Sequence, residues 1–316
     1  MVGNQLPIGG IALWDGMEWH QVGDGDFNST LYDMIKIGDD LYISRNGDMV
    51  NKWDGTSWSV ICNEMDGTVE GAYALASIGT DLYIGGTFSG VEGVPANYVA
   101  KWDGSQWSAL GSGTDQKVAA LCTIGSDLYA GGMFTTAGGT SSSYLARWDG
   151  TYWWPVGGGV NGPVTLLAAI DGELYVGGDF TRAGDVEARC LAKWDGSQWI
   201  AFGAGVSDKV YAVAKYREDL FVGGSFEEAG NRPSAFIGRW GVPVGLKESE
   251  RFEAAVYPNP TRGKFQITST RHQTNSKFQA PSTKHQTNSK NQIQKLEVVD
   301  LYGKEVRISP LHRMGE

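Results

Sequence analysis

The sequence predicts an all-β chain: a β-propeller of about five four-stranded blades, with six as the alternative, followed by a partial β-sandwich tail. Three observations lead there. First, Trp-Asp-Gly followed by a second Trp, five residues after the first, occurs at Trp14/Trp19, Trp53/Trp58, Trp102/Trp107, Trp148/Trp153 and Trp194/Trp199, and a degraded copy starts at Trp240. Second, the starts at Trp102, Trp148, Trp194 and Trp240 stand 46 residues apart. A fixed period of this size is the signature of a repeat architecture. Third, each full copy holds short apolar segments; in one copy they lie at 118–123, 128–132, 144–148 and 152–156. Segments of this length are too short for helices and right for strands. The connections carry Gly, Asp, Ser and Thr, the usual turn residues. Four strands in one repeat make one propeller blade.

In chain order, residues 1–23 supply only a third and a fourth strand. Full sets begin near Leu31, Thr68, Val118 and Val164, and the last set, from Val210, supplies strands one to three and ends at Trp240. This is one strand more than five closed blades need. The terminal halves can therefore complete one blade between them, which would remove the sheet edges; an open or six-bladed arrangement is the alternative. One blade departs from the rest: Trp53 follows Leu41 by 12 positions, whereas Trp102 follows Leu82 by 20. Its second strand, 41–44, lacks the Gly pair found at Gly85-Gly86, Gly131-Gly132, Gly177-Gly178 and Gly223-Gly224. Glycine inside a strand marks a bulge or a close backbone approach. The expectation is that a Trp of the neighbouring blade lies over this bare backbone. Asp103 to Gln106 would close a hairpin with Trp102 and Trp107 facing across its mouth. Eleven of the 12 Trp fall in this register. Truncating a buried Trp costs about 3–5 kcal/mol, so they read as structural first, with carbohydrate stacking as the functional alternative.

Residues 1–243 hold 14 Lys and Arg against 29 Asp and Glu, and residues 244–316 hold 12 against 7. An acidic propeller argues against nucleic acid or anionic lipid as the main partner. No apolar run approaches the roughly 18 residues of a membrane helix, so no membrane insertion is expected. Cys62, Cys122 and Cys190 sit at different repeat positions, which leaves no repeated disulfide or metal pattern. They read as buried free thiols, with a single bridge as the alternative. Residues 244–255 form a charged linker. Within 269–294, His272 to Lys277 recurs as the same six letters at His285 to Lys290. This polar duplication cannot bury a core and reads as disordered.

The Leu-Tyr-x-Gly-Gly strand, then a strand ending in an aromatic-Asp turn, then a Trp, resembles the kelch-type β-propeller over residues 1–243. The turn here is Trp-Asp-Gly rather than Tyr-Asp-Pro, a variant similar to propeller repeats of secreted proteins of Bacteroidetes-type bacteria. Tyr257-Pro258-Asn259-Pro260 with Gly263, followed by Val298, Asp300, Gly303 and Val306, resembles the type IX secretion C-terminal sorting domain, here incomplete over 256–316. That resemblance implies an extracellular or outer-membrane-surface protein and the type IX secretion machinery as a partner. Residues 1–16 carry no leader pattern, and the chain stops at Glu316 before the final strands of such a domain; it reads as cut at both ends.

Chemistry is sparse. A copper-radical oxidase would need several His, and the propeller holds only His20. A sialidase would need clustered Arg, whereas Arg45, Arg147, Arg182, Arg189, Arg217, Arg232 and Arg239 are scattered. Arg147 and Arg239 share a strand-three position with Lys52, Lys101 and Lys193 and read as solvated or edge-capping. Asp24, Asp26 and Asn28 resemble the start of a calcium loop but lack its closing Glu. No cofactor, metal or catalytic residue is assigned. In an up-and-down blade the strand two–three and strand four–one connections emerge together. The long two–three links, 89–97, 135–143, 181–189 and 227–234, are where binding residues concentrate on a rigid scaffold. The candidates are Asn97, Tyr98, Tyr144, Asp185, Arg189, Asn231 and Arg232. The expected function is a non-catalytic, exported binding propeller that recognises a protein or a glycan through this loop face. The alternatives are a carbohydrate-active enzyme or a truncated product without activity.

Overall fold

The structure is a computed structural model that describes residues 11–23, 29–47 and 49–241, and the backbone of 254–257, 266–269, 298–299 and 305–306 in the tail. It divides into two compact units, 1–251 with 259–261, and 252–258 with 262–316.

In the first unit a hairpin of β1 (Ala12–Trp14) and β2 (Trp19–Gln21) comes first. Blade one follows as β3 (Leu31–Ile37), β4 (Asp40–Arg45), β5 (Met49–Trp53) and β6 (Trp58–Cys62). Blade two has β7 (Met65–Ile78), β8 (Asp81–Val91), a short β9 (Val94–Pro95) folded back on β8, then β10 (Val99–Trp102) and β11 (Trp107–Ala109). Blade three has β12 (Val118–Ile124), β13 (Asp127–Gly132), a small hairpin of β14 (Thr136–Ala137) and β15 (Thr140–Ser141), then β16 (Leu145–Trp148) and β17 (Trp153–Pro155). Blade four repeats this with β18 (Val164–Ile170), β19 (Glu173–Gly178), β20 (Arg182–Ala183), β21 (Val186–Glu187), β22 (Leu191–Trp194) and β23 (Trp199–Ala201). Blade five has β24 (Val210–Tyr216), β25 (Asp219–Gly224), β26 (Glu228–Ala229), β27 (Arg232–Pro233) and β28 (Ile237–Gly241). Every pairing is antiparallel, and the main strands of each blade lie in sequence order. The links expected as loops thus carry miniature hairpins in blades three to five, and β9 does the same for blade two. Blade one, with its shortened link, passes directly from β4 to β5.

The blades pack face to face. One core joins Ile37 and Val50 of blade one to Leu82, Ile84 and Trp107 of blade two. The next joins Tyr83 and Val99 to Val118, Leu121 and Trp153. A third joins Tyr129 and Leu145 to Val164, Leu167 and Trp199, and a fourth joins Tyr175 and Leu191 to Val210 and Phe226. The first strands β3, β7, β12, β18 and β24 lie side by side in that order. Twisted sheets stacked with their first strands along a common line are the blades of a propeller.

The glycine pairs explain the close fit. Each first strand carries a bulge, with register shifts at Val118/Ala120, Val164/Leu166 and Val210/Ala212. The second Gly faces it: a Cβ on Gly86, Gly132, Gly178 or Gly224 would stand 2.0–2.2 Å from the carbonyl oxygen of Gly71, Lys117, Pro163 or Lys209. The first Gly receives the next blade. A Cβ on Gly85 would lie 2.5 Å from Val118 Cγ1, and one on Gly131 2.4 Å from Val164 Cγ1. The neighbour over the bare backbone is therefore a Val of the inner strand, not the expected Trp. The neighbouring blade's Trp lies over a different glycine, at the start of the strand four–one link: a Cβ on Gly111, Gly157 or Gly203 would stand 3.5, 2.4 or 3.2 Å from Trp148, Trp194 or Trp240.

The Trp pairs do close their hairpins, with ring centroids 5.3–5.4 Å apart in all five. They also stitch blades together. Trp58, Trp107, Trp153 and Trp199 donate Nε1–H to the carbonyls of Val22, Ile61, Leu110 and Gly157 at the end of the preceding blade, at 2.8–3.2 Å.

Among the described residues the terminal halves do not merge into one blade. β1 and β2 form their own two-stranded sheet, and β24, β25 and β28 form a three-stranded one. The slot beside β25 that β1 would need is already filled by β28. In the second unit β29 (Ala254–Tyr257) pairs with β30 (Gln266–Ser269), and β31 (Val298–Val299) with β32 (Glu305–Val306). The Asp24-Asp26-Asn28 segment, His272 and His285, and nearly all of the 244–255 linker and the 269–294 insertion lie outside the described residues.

Candidate functional surface

The strand four–one and two–three links meet on one face and are bonded together. Asp115 Oδ1 accepts the backbone N–H groups of Thr135 and Thr136 at 2.8 and 2.9 Å. One repeat on, Asn161 Oδ1 accepts those of Thr181 and Arg182, both at 2.8 Å. A further repeat on, Ser207 Oγ accepts those of Glu227 and Glu228, both at 3.0 Å. The same device recurs with three side chains, so each miniature hairpin is held at its base rather than left as a free loop.

The seven candidates are strung along this face over four blades, not gathered at one point. Asn97 donates from Nδ2 to the Ser112 carbonyl at 3.0 Å, and Arg189, at the same repeat position, from Nη2 to that of Ser207 at 3.2 Å. Tyr98 and Tyr144 have φ of 65° and 63°, and so do their equivalents Cys190 and Phe236, at 61° and 67°. Such residues cost about 1–3 kcal/mol in strain. The strain is held by paired bonds: Tyr144 N–H donates to Phe134, and the Tyr144 carbonyl accepts from Gly132. Since four blades share it, this geometry belongs to the fold. Tyr98 and Tyr144 pack on the inter-blade cores. Asp185 and Asn231 occupy equivalent hairpin tips; the Asp185 carbonyl accepts from Arg182 Nη2 at 3.2 Å, and Arg232 follows Asn231 in β27.

One set of residues escaped the sequence reading. The extra residue in each first-strand bulge is Tyr32, Tyr73, Ala119, Thr165 or Tyr211. Bulges re-aim side chains near functional sites. The Tyr32 and Tyr73 rings lie 5.0 Å apart, and Lys117 Nζ sits 3.6 Å from the centre of the Tyr73 ring. Tyr211 is 64% exposed. This places two phenol rings, tilted 56° to one another, and an ammonium at the loop-face end of the innermost strands. The available signal was one residue too many in the apolar alternation at the head of each first strand.

Other charged groups are structural. Lys52, Lys101, Arg147, Lys193 and Arg239 pair with Asp40, Asp81, Asp127, Glu173 and Asp219 at 2.6–3.0 Å, tying strand three to the start of strand two. Each Trp-Asp-Gly aspartate folds its own turn; Asp103 Oδ1 accepts the N–H groups of Ser105 and Gln106 at 2.8 and 2.9 Å. The Gln106 and then the Ser105 bonds hold its pKa at about 2. The three cysteines are free thiols, and burial pushes that of Cys122 up to about 12. Burial also raises that of Cys190, with Asp179 adding to it. Asp15, Glu18 and His20 bring ligand atoms within 4.8 Å of one another on the exposed first hairpin, without a buried donor that would make this a built metal site. A cavity of about 70 Å³ between blades four and five is lined by Leu191, Phe202, Val206, Val222 and Trp240 among others, and holds no carboxylate. Among the described residues no helix is long and apolar enough to cross a membrane.

No protein-family model matches the chain, and no curated protein matches it in sequence. Solved structures do resemble it. The computationally designed Ika8 protein is 16% identical with a TM-score of 0.51, covering 74% of this chain; this chain spans 65% of Ika8. A chain of the mitotic checkpoint complex is 13% identical with a TM-score of 0.46, covering 68% of this chain and 66% of its own length. The WD40 β-propeller domain of Doa1 is 11% identical with a TM-score of 0.42, over 62% of each chain. At such identities a likeness speaks to fold alone. Stacked four-stranded sheets, a shared inner-strand line and the repeated bulge make this chain a propeller-type repeat protein.

Proposed function

We propose that the chain is a non-catalytic binding propeller, exported or held at the cell surface, which recognises a protein or a glycan through its loop face. The observation that carries this is the Tyr32–Tyr73–Lys117 pile on a face whose hairpins are pinned by Asp115, Asn161 and Ser207. Flat aromatic rings beside a cation suit sugar faces and peptide side chains alike, and a preorganised face loses little entropy on binding. The kelch-like repeat and the tail resembling a type IX sorting domain support export. A carbohydrate-active enzyme is the second reading. It would need two carboxylates about 5–10 Å apart across a pocket, and the cavity between blades four and five offers none.

The test is a glycan array and a peptide library probed with the full chain, followed by Tyr73→Ala and Lys117→Ala. The expected result is one ligand class bound by the native chain and weakened at least tenfold by either change. Binding that survives both, and that also survives Asn231→Ala and Arg232→Ala, would remove the loop face from consideration. Turnover of a bound glycan would favour the enzyme.

A further inference from the structure

Trp154 is the one Trp of the chain outside the Trp-Asp-Gly register. It sits in β17, the strand of blade three farthest from the shared line of first strands. Alternation sends Trp153 into the inter-blade core, at 5% exposure, and leaves the residues on either side of it, Tyr152 and Trp154, at 65% and 47%. The fold does not ask for aromatic rings at these two places. The equivalents of Tyr152 are Glu18, Ser57, Gln106 and Gln198, and those of Trp154 are His20, Ser59, Ser108 and Ile200. Nor does the exposure come from an end of the array, because blades two and four both pack on blade three. The Trp154 ring is held in place. Its Nε1–H donates to Asp149 Oδ2 at 2.6 Å, while Asp149 Oδ1 accepts the N–H groups of Thr151 and Tyr152 at 2.8 and 2.7 Å. The aspartate that folds the turn thus also fixes the indole edge and satisfies its donor. Arg147 stands directly across from Trp154 in β16, with Nη1 donating to Asp127 Oδ2 at 2.8 Å. Two exposed rings are therefore bordered by a guanidinium and by carboxylates.

We propose that Tyr152 and Trp154 form a carbohydrate platform on the outer rim of blade three, separate from the loop face, which takes the axial C–H face of a β-linked, equatorially substituted pyranose chain. The chemistry selects this occupant. Pyranose C–H groups carry partial positive charge, which matches the negative face of an aromatic ring. The hydroxyl rim of a sugar suits hydrogen-bonding groups such as Arg147, Asp149 and Thr151 beside the rings. Size argues against a protein partner. Aromatic side chains offer about 150–250 Å² each, so the exposed parts of these two come to roughly 200 Å², against about 800 Å² per partner for a stable protein interface. Two rings are the scale of one or two sugar units. A ring preset by Asp149 also loses little freedom on binding.

The test is titration of the full chain with cellohexaose, xylohexaose, chitohexaose and laminarihexaose, read by calorimetry and by NMR of the indole N–H signals. The native chain should bind at least one of these sugars, and the Trp154 indole signal, identified by its loss in Trp154→Ser, should shift as that sugar is added. Trp154→Ser and Tyr152→Gln bring in residue types that other copies carry at the same exposed positions, so the unfolding midpoint should hold in both. Affinity should fall tenfold or more in each and vanish in the double variant. A native chain that binds none of these sugars overturns the proposal, as does binding that both variants keep. Binding lost in Tyr73→Ala but kept in the two rim variants belongs to the loop face and overturns the rim site. Self-association of the native chain, seen by light scattering and abolished by Trp154→Ser, would make the platform a protein contact and overturns it too.

Discussion

Gly131→Ala tests the packing on which the fold account rests. The new Cβ would lie 2.4 Å from Val164 Cγ1, 3.0 Å from Val164 Cβ and 3.3 Å from Leu167 Cδ1. Carbon atoms pack at about 3.5–4.0 Å, so blade four must retreat by roughly 1 Å. Val164 cannot swing aside, since it is fully buried and β-branched side chains are stiff at χ1. Overpacking of this kind costs about 1–3 kcal/mol. Gly223→Ala is the same change at the same repeat position, without the neighbouring blade. There the substitution should be neutral, or stabilise by about 0.4–1 kcal/mol through the unfolded chain. The assay is urea unfolding followed by Trp fluorescence, at a concentration where the chain is monomeric, with the double variant included. Sites this far apart should add within about 0.5 kcal/mol. If both single changes alter stability equally, the first Gly is not a socket for the next blade.

Trp153→Ala should destabilise by about 3–5 kcal/mol in the same assay, since Trp153 is 5% exposed and donates to Leu110. Trp19→Ala, at a ring 58% exposed, should change stability by less than about 0.5 kcal/mol. The turn aspartates Asp103 and Asp195 have folded pKa values of about 2, held there by backbone N–H groups of Gln106 and Gln198 first, against an ordinary value of 3.8. A depressed carboxylate stabilises fully above its unfolded value and loses that contribution as pH falls through the folded one. The hairpins should therefore loosen between about pH 4 and 2, and Asp103→Asn should abolish that step at Trp102 and Trp107, read by NMR of the indole N–H signals. Asp33 has the opposite sign: burial raises its pKa, so its contribution is present below the ordinary value and lost as pH rises through the raised one. Cys122 should stay unreactive toward a thiol reagent at neutral pH until the chain unfolds, and labelling of the native chain there would refute its burial.

What was legible in the sequence is what every copy repeats. The Trp-Asp-Gly-x-x-Trp hairpin follows from local turn chemistry, because Asp54, Asp103, Asp149 and Asp195 each accept the backbone N–H groups of the residues two and three positions on. The four-strand count follows from alternation. The partner of the glycine pair was not legible, since it lies in the next blade and depends on how far one sheet slides past another. The identity of a long-range neighbour is set by register in three dimensions, and a strand pattern carries no information about that offset. The same applies to ring closure: counting strands leaves one over, and only the placement of β28 beside β25 decides that β1 cannot enter. Of the candidate surface, the connections on one face were derivable from topology. The anchoring of the miniature hairpins and the Tyr32–Tyr73 contact were not, because both depend on contacts between segments separated by 20 residues or more.

The copies themselves separate scaffold from function. Positions fixed by packing keep one residue type wherever the contact is made: the Gly pair against Val and against backbone in blades two to four, the Trp pair across its hairpin and the aspartate in its turn in the five full Trp-Asp-Gly copies. A position that changes identity while its backbone geometry stays constant is free of that constraint. The bulge residues are such a series: the register shift recurs in all five first strands, yet its residue is Tyr, Tyr, Ala, Thr and Tyr in turn. The link residues that pin the hairpins vary as well, but all three, Asp115, Asn161 and Ser207, accept the same pair of bonds, so their variation is still bounded by a structural task. A ring of equivalent sites in which bulk and aromaticity collect on blades one, two and five makes the face asymmetric, and an asymmetric face is what lets a nearly symmetric scaffold hold one ligand in one orientation. Exchanging Tyr73 for Ala and Ala119 for Tyr would move the aromatic centre by one blade without altering the scaffold. A ligand recognised there should lose affinity by tenfold or more although the total aromatic content is unchanged, while the unfolding midpoint stays where it was.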